Sequence, residues 1–174
     1  MKKYIILLRG INVSGKNKLP MADLRELLND LRFQNVQTYI QSGNIILTSE
    51  LSKSITRKRI KNGILAKFGY DIPVIIRTVF EFEKAIINNP FKESTEKKKM
   101  FFTFLNRVPK DVNIEINTSV SDAYKIVNDV VYLFCETGYG NTKLSNNLFE
   151  KKLKVIATTR NYNTTLKMLA LATT

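Results

Sequence analysis

Val36-Gln37-Thr38-Tyr39-Ile40-Gln41-Ser42-Gly43-Asn44-Ile45-Ile46-Leu47-Thr48 is the stretch on which the fold turns. Two β-rich runs, residues 36–41 and 44–48, are separated only by Ser42-Gly43. That is the spacing and chemistry of a tight hairpin, so the two strands are expected to be antiparallel neighbours. Upstream, residues 3–9 read as a buried strand, and Pro20 opens a helix whose apolar positions Met21, Leu24, Leu27, Leu28 and Leu31 recur at helical spacing. Downstream, a helix over 52–68 puts Ile55, Ile60, Ile64, Leu65 and Phe68 on or near one face, with Lys53, Arg57, Lys58, Arg59, Lys61 and Lys67 over the rest. Residues 72–77 supply a fourth strand. The first 77 or so residues therefore spell β-α-β-β-α-β, the ferredoxin-like order.

A short helix over 80–87 leads into Asn88-Asn89-Pro90 and the charged run 93–99, where apolar periodicity is lost as at a boundary. Beyond it the element order partly repeats. Residues 100–105 form a strand, 109–116 a short helix, and 124–127 with 130–135 a second hairpin around Asn128-Asp129. Leu144, Leu148, Phe149 and Leu153 return to helical spacing, and Leu166, Met168, Leu169, Ala170 and Leu171 mark a terminal helix. The expected architecture is an α/β (α+β) chain of two small ferredoxin-like plait units with mainly antiparallel sheets and a C-terminal helix. The first unit takes residues 1–88, including the following helix, and the second takes residues 100–174.

Composition narrows the function classes. Of the 174 residues 44% are apolar and 25% charged, as in a globular protein. No stretch reaches the roughly 20 apolar residues of a membrane helix, and the run Tyr4-Ile5-Ile6-Leu7-Leu8 after Lys2-Lys3 is too short for a signal peptide, so a cytoplasmic protein with no membrane partner is expected. The single cysteine, Cys135, excludes an internal disulfide and any CxxC motif. With no histidine, imidazole-based triads and the commonest zinc ligand sets fall away. The acids are scattered, so neither a metal nor another cofactor is expected. A net charge of +13 favours anionic partners, nucleic acid or phosphorylated metabolites among them, and equally serves to keep a lysine-rich surface soluble.

The loop after the first strand carries the nearest approach to a chemical signature. Gly10-Ile11-Asn12-Val13-Ser14-Gly15-Lys16-Asn17 matches the first seven positions of the phosphate-binding pattern G-x-x-x-x-G-K-[ST] and follows a strand. The eighth fails, because Asn17 has no hydroxyl for Mg²⁺, and Lys18-Leu19-Pro20 intervenes before the helix. Metal-assisted nucleotide hydrolysis does not fit. A non-hydrolytic anion-binding loop does: glycines free backbone N–H groups to face an oxyanion, and Arg9, Lys16 and Lys18 add three positive charges. A purely structural, solvated loop fits as well.

Three other stretches belong with it. Gln41, Ser42 and Asn44 surround the first hairpin turn, where they serve either a ligand or ordinary turn chemistry. The polar cluster at 158–164 includes Arg160 and Asn161 and equally resembles a helix N-cap, with Asn161 or Asn163 as the cap. Gly138-Tyr139-Gly140-Asn141-Thr142-Lys143 is a weaker glycine loop. Cys135 sits in the apolar run Val130-Val131-Tyr132-Leu133-Phe134 and is expected to be an inert buried thiol. Phe101, Phe102 and Phe104, with Tyr132 and Phe134, read as core, because three phenylalanines on one strand alternate across both faces.

Taken together, Leu7-Leu8-Arg9-Gly10-Ile11-Asn12-Val13 with Gly15-Lys16-Asn17-Lys18, then Tyr39-Ile40-Gln41-Ser42-Gly43-Asn44, and Ala157-Thr158-Thr159-Arg160-Asn161 resemble the bacterial family called domain of unknown function 1697. Tyr162 departs from the tryptophan common at that place. The resemblance implies two α/β-plait units. It brings no activity and no catalytic residues.

The functional expectation is a basic protein in which Arg9, Gly10, Asn12, Gly15, Lys16, Asn17, Lys18, Gln41, Ser42, Asn44, Arg160 and Asn161 converge on a phosphorylated small molecule or a nucleic-acid backbone. The alternatives are a metal-independent phosphotransfer or hydrolytic enzyme, with Lys16 and Arg160 as electrostatic stabilisers and a carboxylate such as Asp23 as base, or an interaction module with no small ligand. Whether the chain is an enzyme, and which protein it partners, stay open in the sequence.

Overall fold

The computed structural model describes residues 1–118 and 121–174. The chain divides into two compact units, residues Met1–Glu83 with Met168–Thr174, and Lys84–Lys167. Each unit carries one four-stranded antiparallel sheet.

The first unit contains β1 (Lys2–Leu8), α1 (Met21–Asp30), β2 (Gln34–Tyr39), β3 (Asn44–Ser49), α2 (Lys53–Phe68) and β4 (Val74–Thr78). Its strand order, β2-β3-β1-β4, is the ferredoxin-like plait. β1 occupies the middle, with Ile6 opposite Ile45 on one side and Ile76 on the other. Tyr4, Ile6 and Leu8 point into a core shared with Leu24 and Leu28 of α1, Ile45 and Leu47 of β3, and Ile60 and Ile64 of α2. The alternate residues Ile5 and Leu7 are also buried, which is why β1 is a continuous apolar run rather than an alternating one.

Local chemistry sets the helix ends. Ser52 caps α2 by accepting from the Ile55 N–H, and Gly69 ends it in the left-handed region at φ 75°. Before α3 (Val79–Ile87), the Thr78 hydroxyl accepts from the Glu81 N–H at 3.1 Å while Glu81 accepts from the Thr78 N–H at 2.8 Å. This reciprocal capping box is written in the local run Thr78-Val79-Phe80-Glu81. Burial alone would push the Glu81 carboxyl up, but Lys53 and the Thr78 N–H together hold it below the usual range.

The second unit contains β5 (Met100–Leu105), β6 (Ala123–Val127), β7 (Val130–Phe134), α4 (Asn146–Leu153) and β8 (Ala157–Asn161), from which α5 (Tyr162–Thr173) continues. Strand order β6-β7-β5-β8 repeats the first sheet's pattern. The core on one face gathers Leu105, Val131, Leu133, Phe149 and Leu153.

Two expectations are corrected. The first hairpin is not closed by Ser42-Gly43 alone: β2 ends at Tyr39, opposite Asn44, leaving the four-residue turn 40–43. Ile40 breaks the strand by adopting φ 50°, an uncommon conformation for a β-branched residue. The helix expected over 109–116 is absent. Asp111 draws the Asn113 N–H onto its own carboxylate at 2.8 Å, and the Ile114 N–H bonds Val112 at 3.0 Å. Such local bonds compete with helix formation.

At Gly43 (φ 75°) an added Cβ would lie 2.7 Å from Leu8 Cβ and 2.7 Å from Ile11 Cδ1. Gly43→Ala is therefore expected to lower unfolding stability by about 2–4 kcal/mol, combining left-handed strain with overpacking against the central strand. Urea denaturation of the two proteins checks this, with the midpoint falling and the slope unchanged.

Candidate anion-binding loop

Residues 9–20 leave the C-terminal end of β1, whose position is fixed from both sides: the Leu8 N–H donates to Gly43 O at 2.9 Å and the Arg9 N–H to Pro73 O at 3.0 Å. The loop folds as a miniature hairpin. Val13 and Lys16 form an isolated antiparallel bridge, the Lys16 N–H donating to Val13 O at 2.9 Å, and Ser14 and Gly15 between them sit at φ 49° and φ 76°. Two central residues with positive φ define a type I′ turn. At its base the Asn12 N–H donates to Asn17 O at 3.2 Å, which brings residues 9–10 alongside 17–18.

Two asparagine side chains hold this shape. Asn12 Nδ2 donates to Leu19 O at 2.9 Å and to Gln41 O at 2.8 Å, and its Oδ1 accepts from the Leu19 N–H at 2.8 Å. Asn17 Nδ2 donates to Gly10 O at 2.9 Å. Asn12 thus ties the strand-one loop to the hairpin turn, and the hairpin has its own brace, Asn44 Nδ2 donating to Tyr39 O at 3.0 Å and Ser42 Oγ at 2.9 Å. Seven of the thirteen described residues with positive φ lie in these two stretches, at 10, 12, 14, 15, 17, 40 and 43. Ile11 and Leu19 are buried and anchor the loop, whereas Lys16 and Lys18 are exposed and Arg9 half-buried. Among the described residues the Ser14 and Gly15 N–H groups at the tip have no hydrogen-bond partner.

The loop departs from a P-loop in its backbone. Lys16 is turned back on Val13, and α1 starts only at Met21 with Pro20 at its N-cap, so Gly15 and Lys16 do not open a helix. A phosphate cradle of the hydrolytic type is not built.

Of the expected site residues, Arg9, Gly10, Asn12, Gly15, Lys16, Asn17, Lys18, Gln41, Ser42 and Asn44 are brought together within the first unit. Arg160 and Asn161 lie in the second. Arg160 is buried on β8 and donates to Thr158 Oγ1 at 2.8 Å and to Thr159 O at 2.9 Å. Desolvation pulls its guanidinium down to about 10, which leaves it charged at neutral pH. Asn161 Oδ1 accepts from the Thr164 N–H at 2.7 Å, the capping arrangement at the start of α5.

Tyr139, in the second glycine stretch, packs its ring 5.3 Å from Phe101 and donates to Thr159 Oγ1 at 3.2 Å. Cys135 is buried among Leu133, Leu144 and Phe149. Among the described residues no helix is long and apolar enough to cross a membrane.

A ferredoxin-like plait with a braced, basic loop at the end of its central strand is what the geometry defines. By its match over residues 1–132, the chain belongs to the family described as protein of unknown function DUF1697. Its full length is similar to the structure of conserved bacterial protein SP0830 from Streptococcus pneumoniae, at 25% identity and TM-score 0.73, covering 100% of this chain and 99% of that one. No curated protein matches it.

Asn12→Ala removes three hydrogen bonds and is expected to cost about 1.5–4.5 kcal/mol by chemical denaturation, because a typical intramolecular bond contributes about 0.5–1.5 kcal/mol. Burial, opposed by a hydrogen bond from Thr142 and reinforced by the Asp122 charge, pushes the Cys135 thiol from 9.0 up to about 11. The unfolded thiol releases its proton first as pH rises. Its contribution is therefore complete below about pH 9 and declines by about 1.4 kcal/mol per pH unit as pH climbs toward the folded value. Unfolding free energies of wild type and Cys135→Ala between pH 8 and about pH 10.5 are expected to converge by that amount.

Proposed function

We propose that this protein binds an oxyanion, carried by a phosphorylated small molecule or a nucleic-acid backbone, at the strand-one loop braced by the first hairpin. The observation that carries the reading is the Asn12 clamp. An exposed loop with five residues in the left-handed region, at 10, 12, 14, 15 and 17, is held in shape by side-chain amides, a conformation that carries a backbone cost at its non-glycine positions. Rigid loops on a regular scaffold are where binding groups concentrate.

The roles follow from chemistry. Lys16 and Lys18 act as exposed point charges and Arg9 as a planar fork, while the Ser14 and Gly15 N–H groups offer neutral donors at the tip. Asn12, Asn17 and Asn44 hold the loop and the turn in shape. Gln41 and Ser42 lie on the turn that Asn12 grips.

Thermal unfolding of wild type and Lys16→Ala in the presence of inorganic phosphate, nucleotides and short RNA or DNA, at matched ionic strength, tests this. Saturation at 100 times the dissociation constant is expected to stabilise the wild type by about 2.7 kcal/mol, with the shift reduced in Lys16→Ala. Equal shifts in both proteins, or none, overturn the reading.

A further inference from the structure

Helix α2 carries Lys53, Arg57, Lys58, Arg59, Lys61 and Lys67 and no acidic residue in sixteen positions. Like charges at i, i+4, here Lys53 with Arg57 and Arg57 with Lys61, oppose helix formation, and cations in the first half of a helix face the positive end of its dipole. Folding does not call for this pattern, because Thr56, Ile60 and Ile64 supply the buried side.

Three of the cations are accounted for within the unit. Lys53 pairs with Glu81 at 2.5 Å, Lys61 with Asp71 at 2.8 Å, and Lys67 with Glu26 at 3.2 Å. Among the described residues Arg57, Lys58 and Arg59 have no carboxylate partner. Arg59 reaches Leu31 O at 3.5 Å, which sets its guanidinium against the Leu31–Arg32 peptide, and Arg32 is itself exposed and without a carboxylate. Neutral lysine usage does not explain the choice of residue: the chain has twenty lysines and only eight arginines, yet three of the eight sit here.

We infer that the exposed side of α2 centred on Lys58, with Arg57 and Arg59 on its two flanks and Arg32 beside Arg59, docks the phosphate backbone of a nucleic-acid duplex. Arginine matches phosphate through a planar two-pronged fork that lysine lacks, and backbone contact of this kind needs no base-reading groups. An anionic membrane fits less well. The outward residues Ile55 and Leu65 are 52% and 46% exposed but are separated by Lys58, Arg59 and Asn62, so no continuous apolar stripe is present to enter the lipid. The inference rests on residues other than the strand-one loop and stands apart from that reading.

The test is fluorescence anisotropy of the full chain with a labelled DNA duplex of about 20 base pairs and its RNA counterpart, repeated over a series of salt concentrations. Replacing Arg57, Lys58 and Arg59 together by Gln keeps good helix formers and removes three cations. A control replaces the exposed Lys110, Lys125 and Lys151 of the second unit by Gln, with the same change in net charge. The expected result is a shallower log–log salt dependence in the helix variant by about 2.7, with a more than tenfold loss of affinity at about 0.1 M salt, and a smaller change in the control. Thermal unfolding is expected to show the helix variant at least as stable as wild type, since like charges are relieved. Equal losses in helix variant and control, no wild-type duplex binding, or binding only to phosphatidylserine vesicles overturns the inference.

Discussion

The approach of the Gly43 backbone to Leu8 and Ile11 is the constraint on which the rest of the first unit depends. A Cβ has no room there, and the turn needs a left-handed residue at the same point. Because β1 is hydrogen-bonded on both edges, Leu8 cannot move aside to admit one. The hairpin turn and the loop leaving β1 are consequently forced into contact. Asn12 exploits that proximity by gripping Gln41 O and Leu19 together. The loop's position is thus inherited from the sheet, and its conformation is set by two asparagine side chains.

The second sheet reaches the same strand order, and among the described residues its β5–β6 connection holds no counterpart of the helix that joins the first two strands of the first sheet. In its place, described residues of the connection pack Ile114 and Ile116 against the core, and Tyr124 donates its hydroxyl to Ile114 O at 2.8 Å. Buried Asp122 closes the connection, accepting from the Glu136 N–H at 2.9 Å and from the Thr142 hydroxyl at 2.6 Å. Two isoleucines and a satisfied carboxylate cover the sheet where helical turns do so elsewhere. That is possible because burial rewards covered apolar area, whatever the backbone conformation that covers it.

Charge is arranged rather than merely abundant. Lys99 lies between Glu96, at 2.6 Å, and Glu136, and both carboxylates raise its pKa above the ordinary value. Lys97 rests over the Tyr162 ring at 5.3 Å. Among the described residues, exposed cations without a carboxylate partner in the first unit include Lys16 and Lys18 of the strand-one loop and Lys58 and Arg59 of α2. An exposed pair contributes little to stability, so this pattern bears on where an anion is attracted and hardly at all on why the chain folds.

The element order of the first unit, its antiparallel hairpin, the terminal helix and the family were legible in the amino-acid sequence, because each rests on periodicity or on motifs local in the chain. Residue identity also determined that Cys135 is buried in an apolar run and that the glycine loop departs from a nucleotide-hydrolysing one at Asn17. What only the tertiary structure decided were relations across distance. Asn12 and Gln41, 29 residues apart, meet because the sheet brings their loops together, and Asn12 is a strut rather than a free amide for that reason. The missing helix over 109–116, the miniature hairpin at Val13 and Lys16, and the sorting of α2 cations into paired and unpaired were likewise hidden. Each depends on which partner a polar group finds in three dimensions, and spacing along the chain does not encode that partner.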